Sequence, residues 1–259
     1  MNIELFDLHA RVEQSHWWFV SRREIFGSLL RTLLPASPRP LVVDVGCGTG
    51  ANIAGLADWC RAVGIDTSER AVALAQERFP DVRFVHGFAP ADLGPTAHEA
   101  DAFLLMDVLE HVEHDRALLA AIVESARPGA YVVITVPADM ALWSDHDVNF
   151  GHFRRYTASE LRALWTGLPV ETQLVSHFNS RLYPLIRTAR AIGRRFRVHW
   201  GRDKTDLGQP PELLNRTLHS VFSGEGNRLK RVLAGRAAAY RRGVSLIAVL
   251  RRQPSGGRA

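Results

Sequence analysis

Leu41-Val-Val-Asp-Val-Gly-Cys-Gly-Thr-Gly-Ala-Asn-Ile53 runs a short apolar stretch straight into a glycine turn and out into a helical stretch. In an open α/β sheet, ligands bind where a strand ends in such a turn. Glycine is needed there because the backbone bends sharply and a ligand lies against it with no side chain between. A tight strand-to-helix turn without a ligand would use the same residues, so the flanking acids matter. Asp44 stands two residues before Gly46, and Asp66 ends the next apolar run, about 20 residues farther on, where an acid can accept hydrogen bonds from both ribose hydroxyls. Together they indicate a nucleoside site. The nucleotide stays open on these grounds, because Gly46-x-Gly48-x-x-Ala51 also meets the dinucleotide fingerprint of an NAD-dependent oxidoreductase.

Working outward, short β-branched runs recur at 62–65, 82–85, 101–106 and 131–136, separated by helical stretches near 51–59, 69–79 and 115–126. That alternation predicts βα units around a parallel sheet. Two further strands are expected at 169–175 and 244–250. The predicted fold is an α/β, Rossmann-like, seven-stranded, mostly parallel sheet with helices on both faces. Residues 1–40 form an N-terminal helical segment, 41–176 the α/β core, 177–243 a basic helical cap between the last two strands, 244–252 the final strand and 253–259 a disordered tail. The cap is expected because some 65 residues are too many for a bare loop, and helical patterns fall near 182–197 and 212–234. The N-terminal helices are expected across the sheet or over the site, which makes Trp18 and Arg22 candidates for contact with a substrate.

The chain has 259 residues and a formal charge of +5, unevenly distributed. Residues 1–180 hold 14 Lys/Arg against 23 Asp/Glu, and residues 181–259 hold 18 against 4. Either a solvated basic surface or an anionic partner accounts for the split. Cys47 and Cys60 are too few for a disulfide framework or a paired zinc pattern. No run of about 18 apolar residues and no secretory leader is visible, so a cytoplasmic location is the expectation.

VVDVGCGTGANI, GIDTSERAVALA, VRFVHGFA and DAFLLMDVLEHV, in that order, resemble the motif series of class I S-adenosylmethionine-dependent methyltransferases over about residues 41–137. The resemblance implies S-adenosylmethionine as cofactor, with Asp44, Gly46, Cys47, Gly48 and Gly50 around its methionine portion and Asp66 on its ribose. Gly87, Phe88 and Ala89 would flank adenine, Asp107 would lie near the methionine end, and Thr67 and Ser68 would border the adenosine, although Ser68 serves equally as a helix cap. His16-Trp17-Trp18-Phe19 with Arg22-Arg23, and the strand after Gly243, resemble a bacterial subgroup of these enzymes.

Methyl transfer from a sulfonium is an in-line displacement, so the protein must align the acceptor and, for a hydroxyl, remove its proton. Asp107-Val-Leu-Glu-His-Val-Glu-His114 offers His111 as a base and also resembles the Glu-x-x-Glu-His segment that binds a divalent ion in ubiquinone-pathway O-methyltransferases. Asp107, Glu110 and His111 would be its ligands, with Asp107 one methylene short of that pattern. A purely structural role for these acids and histidines is the alternative. Trp143 to Thr157 is dense in polar and aromatic groups, with His146 and His152 as general bases, Arg154 or Arg155 as a clamp for an anionic group, and Trp143 and Tyr156 as further contacts. Equally, Arg155 and Tyr156 can anchor the loop while Thr157 caps the next helix.

The expected acceptor is a small or lipid-like molecule methylated at O or N. The basic final third would suit a nucleic-acid phosphate backbone, but MDVLEHV replaces the Asn/Asp-Pro-Pro-aromatic motif of base-amino methyltransferases. A non-catalytic cofactor-binding adaptor is the remaining class, and no motif is broken in its favour. Leu182, Leu185, Ile186, Ala189 and Ile192 fall near one helix face, with Arg187, Arg190 and Arg194 elsewhere. Such a helix either closes the site as a lid or rests on the inner membrane face as a peripheral contact.

Overall fold

A computed structural model describes residues 3–36, 38–196 and 208–254. Its centre is a seven-stranded sheet built from β1 (Leu41–Val45), β2 (Arg61–Asp66), β3 (Arg83–His86), β4 (Ala102–Met106), β5 (Tyr131–Pro137), β6 (Val170–Phe178) and β7 (Ser245–Arg252). The order across the sheet is β3-β2-β1-β4-β5-β7-β6, with β7 antiparallel to both its neighbours and every other pairing parallel. This is the Rossmann-like arrangement expected from the sequence.

The strands read as nearly unbroken apolar runs because both faces of the sheet are covered. Side chains alternate between faces along a strand. Leu41, Val43 and Val45 of β1 join Phe103 and Leu105 of β4 and Val132, Ile134 and Val136 of β5 in one core. Val42, Leu104 and Val133 belong to the other. The first core is closed by α6 (Asp115–Ser125) and α8 (Ala158–Ala163), through Leu119, Ile122 and Leu161. The second is closed by α2 (Trp17–Leu33), α4 (Glu69–Arg78), α10 (Glu212–Ser223) and α11 (Gly226–Leu233), through Ile25, Leu29, Val72, Phe222 and Leu229.

Between β6 and β7 the chain forms α9 (Tyr183–Phe196), α10 and α11. Residues 197–207 of the expected cap and 255–259 of the expected tail lie outside the described residues. α10 and α11 pack along α2, where Ser21 Oγ donates to the His219 carbonyl at 3.3 Å and the Trp17 and Phe222 rings stand edge to face. The pattern over 212–234 divides into two helices at Gly224, and there the Glu225 carboxylate accepts the backbone N–H groups of Ser180 and Arg181, both at 2.8 Å. The helix expected over 51–59 is only Ala51–Ala54, because Gly55 ends it and weakens any continuation. No described helix is long and apolar enough to cross a membrane.

Among the described residues, three non-glycine residues take positive φ: Asp107, Asp139 and Asn179, at 57°, 60° and 52°. They follow the carboxyl ends of β4, β5 and β6, along the edge where the glycine turn also lies.

Candidate active site

A cleft of about 970 Å³ opens along the carboxyl edge of the sheet. At its β1–β3 end the glycine turn is anchored from below, since Gly46 and Cys47 donate to the Ile65 carbonyl at 2.8 and 3.1 Å. Gly48 has φ +53°, and a Cβ there would meet nothing within 4 Å, so this face of the loop is open to a ligand. Gly46, at φ +68°, could not carry a Cβ without striking Val108 at 2.8 Å. The Asp66 carboxylate accepts the Gly48 N–H at 2.9 Å and the Ser68 N–H at 2.8 Å, which holds it at the cleft wall. Thr67, Gly87, Phe88 and Ala89 complete this end, and the Phe88 ring is 70% exposed. Asp44 lies beneath the turn, fully buried, and its carboxyl is raised to about 8 by burial and secondarily by Asp66. Gly50 sits behind the loop, against Phe84 and Ala75.

The N-terminal helices wall the cleft. Glu13, just beyond α1 (Ile3–Val12), accepts from Thr49 Oγ1 at 2.7 Å and pairs with Arg78 of α4, which ties the end of α1 to the glycine turn. On α2, Arg22 is buried and pairs with Asp107, donates to Thr135 Oγ1 at 3.1 Å, and stacks its guanidinium 4.0 Å from the Trp18 ring. Asp107 is thereby committed.

Beyond Asp107 lies a chamber of imidazoles and aromatic rings. His9 and Phe150 approach to 5.3 Å, His146 and Phe150 to 4.4 Å, and His111 and His152 to 4.6 Å between ring centres. One ligand-capable atom from each of Glu110, His111 and His152 lies within 4.8 Å of the others. Of the three residues that the Glu-x-x-Glu-His likeness would make ligands, then, Asp107 turns to Arg22 and His152 takes its place beside Glu110 and His111. Glu110 is fully buried, neither oxygen meets a donor among the described residues, and burial pushes its carboxyl well above the usual range, with Asp107 adding to the shift.

Burial lowers His9 and His111 to about 4 and His146 to about 3. All three are neutral in the folded chain at neutral pH. In an unfolded chain an imidazole takes its proton near pH ~6.5. Between ~6.5 and ~4 the unfolded state therefore binds more protons, so this contribution is fully present above ~6.5 and is lost as pH falls towards the folded values. Thermal melts at roughly pH 7, 6 and 5 should show a declining midpoint, and the double variant H9F/H146F should decline less. Parallel curves for the two proteins would show that these imidazoles are not buried neutral.

Among the residues expected to meet the acceptor, Trp18, Arg22, His111, His146, His152 and Arg155 line the cleft. Trp143, Arg154 and Tyr156 do not. Arg154 turns to Asp115 at 2.6 Å and to the Glu113 carbonyl, and the Tyr156 hydroxyl donates to Asp115 at 2.7 Å, so both tie the loop to α6. Trp143 closes the 3-10 turn Met140–Leu142. Arg155 is taken by Asp147, at 2.8 and 3.0 Å. Sequence reasoning did not select His9, Glu13 or Asn179, and Asn179, 1% exposed, has an Oδ1 without a donor among the described residues.

The model of the family described as "Methyltransferase domain" matches residues 17–168, more than half of the chain. Trans-aconitate 2-methyltransferase of Deinococcus radiodurans is 32% identical over 114 residues, covering 42% of this chain and 43% of that protein. Ubiquinone biosynthesis O-methyltransferase of Aromatoleum aromaticum is 33% identical over 96 residues, covering 35% and 41%. The chain thus spans about two-fifths of the length of these curated relatives. In fold it is similar to the plantazolicin methyltransferase BpumL, with a TM-score of 0.58 and 15% identity over 96% of this chain and 90% of that one. On the extent of the family match, with a glycine turn and an acid meeting at the sheet edge, the chain belongs to the methyltransferase domain family.

Proposed function

We propose that the chain binds S-adenosylmethionine at the β1–β3 end of the cleft and methylates the hydroxyl of a small, uncharged, lipid-like acceptor at the β4–β6 end. The first half rests on the open face of Gly48 beside the Asp66 carboxylate, with Phe88 exposed nearby. These residues fit a nucleoside with a flexible cationic tail. When bound, the cofactor supplies a methyl carbon on a sulfonium whose C–S bond breaks with its electron pair going to sulfur. Trp18, Arg22 and Ser245, which fall in the segments 16–23 and 243–249 that resemble the bacterial subgroup, line the cleft. Calorimetry with the demethylated cofactor product tests this half. Asp66→Ala should weaken binding about tenfold or more, since a hydrogen bond to a charged group contributes about 1.5–3 kcal/mol. Unchanged affinity would remove Asp66 from the site.

One observation carries the acceptor class: the acceptor end neutralises its own charges. Arg22 is paired with Asp107, Arg155 with Asp147, and three of the imidazoles carry no charge. Arg190 joins the wall from α9. A tricarboxylate such as trans-aconitate would need cations ready to receive it, whereas an apolar hydroxyl compound needs a base and a hydrophobic wall. Leu142, Phe150 and Ile186 supply the wall, and His152 is the base. Labelled S-adenosylmethionine offered with lipophilic phenols and with tricarboxylates should label the phenols, and His152→Ala should lower turnover about 100-fold or more with cofactor affinity nearly intact. Label confined to tricarboxylates would reverse the acceptor class.

The outer surface of α9 fits delivery from an anionic membrane. Ile186, Ala189 and Arg190 line the cleft, while Leu185 and Ile192, seven residues apart on another face, are 66% and 45% exposed beside exposed Arg187 and Arg195. An amphipathic helix of this kind rests its apolar face among lipid headgroups, and each base near the surface adds about 1 kcal/mol. Vesicles containing phosphatidylglycerol should co-sediment the protein at low salt and less so at moderate salt. Leu185→Glu with Ile192→Glu should abolish the effect, and an absence of binding at either salt would leave α9 as a wall only.

A further inference from the structure

Three histidines compete for the role of base, and the structure treats them differently. His111 and His146 are held neutral by burial. His152 instead has a carboxylate directly behind it, with Nδ1 2.9 Å from Asp147 Oδ1. Asp147 is fully buried on α7 (Asp145–Asn149), and its own position is fixed from three sides. Arg155 donates Nε to Oδ1 at 2.8 Å and Nη2 to Oδ2 at 3.0 Å, and the Ser144 N–H donates to Oδ2 at 2.9 Å. Arg155 is anchored in turn, its Nη1 donating to the Ala138 carbonyl at 3.1 Å. Burial alone would raise this carboxyl, but the hydrogen bonds from His152 and Arg155 outweigh burial and hold it below the usual carboxylate range.

An ionised carboxylate can only accept. The atom facing it must carry hydrogen, so the imidazole proton sits on Nδ1 and the lone pair on Nε2. We propose that Asp147, clamped by Arg155, is the positioning residue that fixes His152 in the Nδ1–H form and frees Nε2 to take the acceptor's proton. The proposal rests on the reading of His152 as base. The acceptor O–H bond breaks with its electron pair left on oxygen, the proton passes to Nε2, and the imidazolium so formed lies against a buried negative charge. The groups facing His152 are Asp147 and Arg155 from its own connection, His146 and Phe150 from α7 and its end, and Glu110 and His111 from the turn after β4.

The test joins a spectroscopic signature of the unaltered protein to a kinetic split. In the full chain with ¹⁵N-labelled histidine, the His152 ring, assigned by its loss in His152→Gln, should show a protonated Nδ1 and a bare Nε2. Asp147→Asn, which keeps size but removes the negative charge behind the imidazole and sets an NH2 group against N–H donors in place of one acceptor oxygen, should lower kcat about 100-fold or more while KM and the affinity for the demethylated cofactor product change little. An Nε2–H ring in the unaltered protein overturns the proposal even if Asp147→Asn fails to fold, and so does full kcat in a folded Asp147→Asn. Full activity of His152→Ala with an Nδ1–H ring would instead overturn the reading of His152 as base, a separate result.

Discussion

The ion pair between Arg22 and Asp107 ties α2 to the carboxyl edge of the sheet through a buried charge. Arg22 comes from α2, Asp107 ends β4, and Thr135, which the same guanidinium reaches, belongs to β5. α2 also carries α10 and α11, so these three helices are tied to the floor of the cleft by one buried side chain as well as by apolar packing. Breaking a buried pair from one side leaves the other charge stranded, at about 3–5 kcal/mol. Trp18 over the guanidinium and Thr135 beneath it lessen the desolvation of a charge that is 4% exposed. The proposed acceptor chamber gains no free charge from Arg22, because that charge is balanced inside the protein.

The sheet was legible because its physics is local. Strands covered on both faces are nearly continuously apolar, and LVVDV, AFLLM and YVVITV are, apart from Asp44 and Thr135. The glycine turn and Asp66 were legible too, since a sharp turn at a strand end leaves few residue choices. The proposed acceptor end was not. Trp143 to Thr157 signals polar density, yet density does not say which side chains face inward. Arg154 and Tyr156 turn out to Asp115 while their neighbour Arg155 turns in to Asp147. His9 and Glu13 reach the cleft only because α1 folds back over the glycine turn, a tertiary event with no local signal.

The charge split has a structural use that the sequence hides. Several arginines of the final third end on backbone carbonyls: Arg181 on Val221 and Gly224, Arg228 on Ala238, and Arg252 on Val123. A guanidinium has five N–H groups in a rigid fork and can hold two carbonyls at once, which an ammonium does less well. Arginine here closes helix ends and loops, so the count of bases overstates the field available to an anionic partner.

The positive φ values at the ends of β4, β5 and β6 bear on redesign. A left-handed backbone suits Asp, Asn and Gly and resists branched or bulky side chains, so Asp107, Asp139 and Asn179 offer little room for exchange although they stand along the edge of the sheet where the cleft opens. Asp139 is also bound by the Tyr183 hydroxyl at 2.6 Å, which sets where α9 begins. Reshaping the proposed acceptor end would therefore start with Leu142, Phe150 and Ile186, whose ordinary backbone leaves size and shape free to vary within the limits of packing. The rim holds still while the wall can be recut.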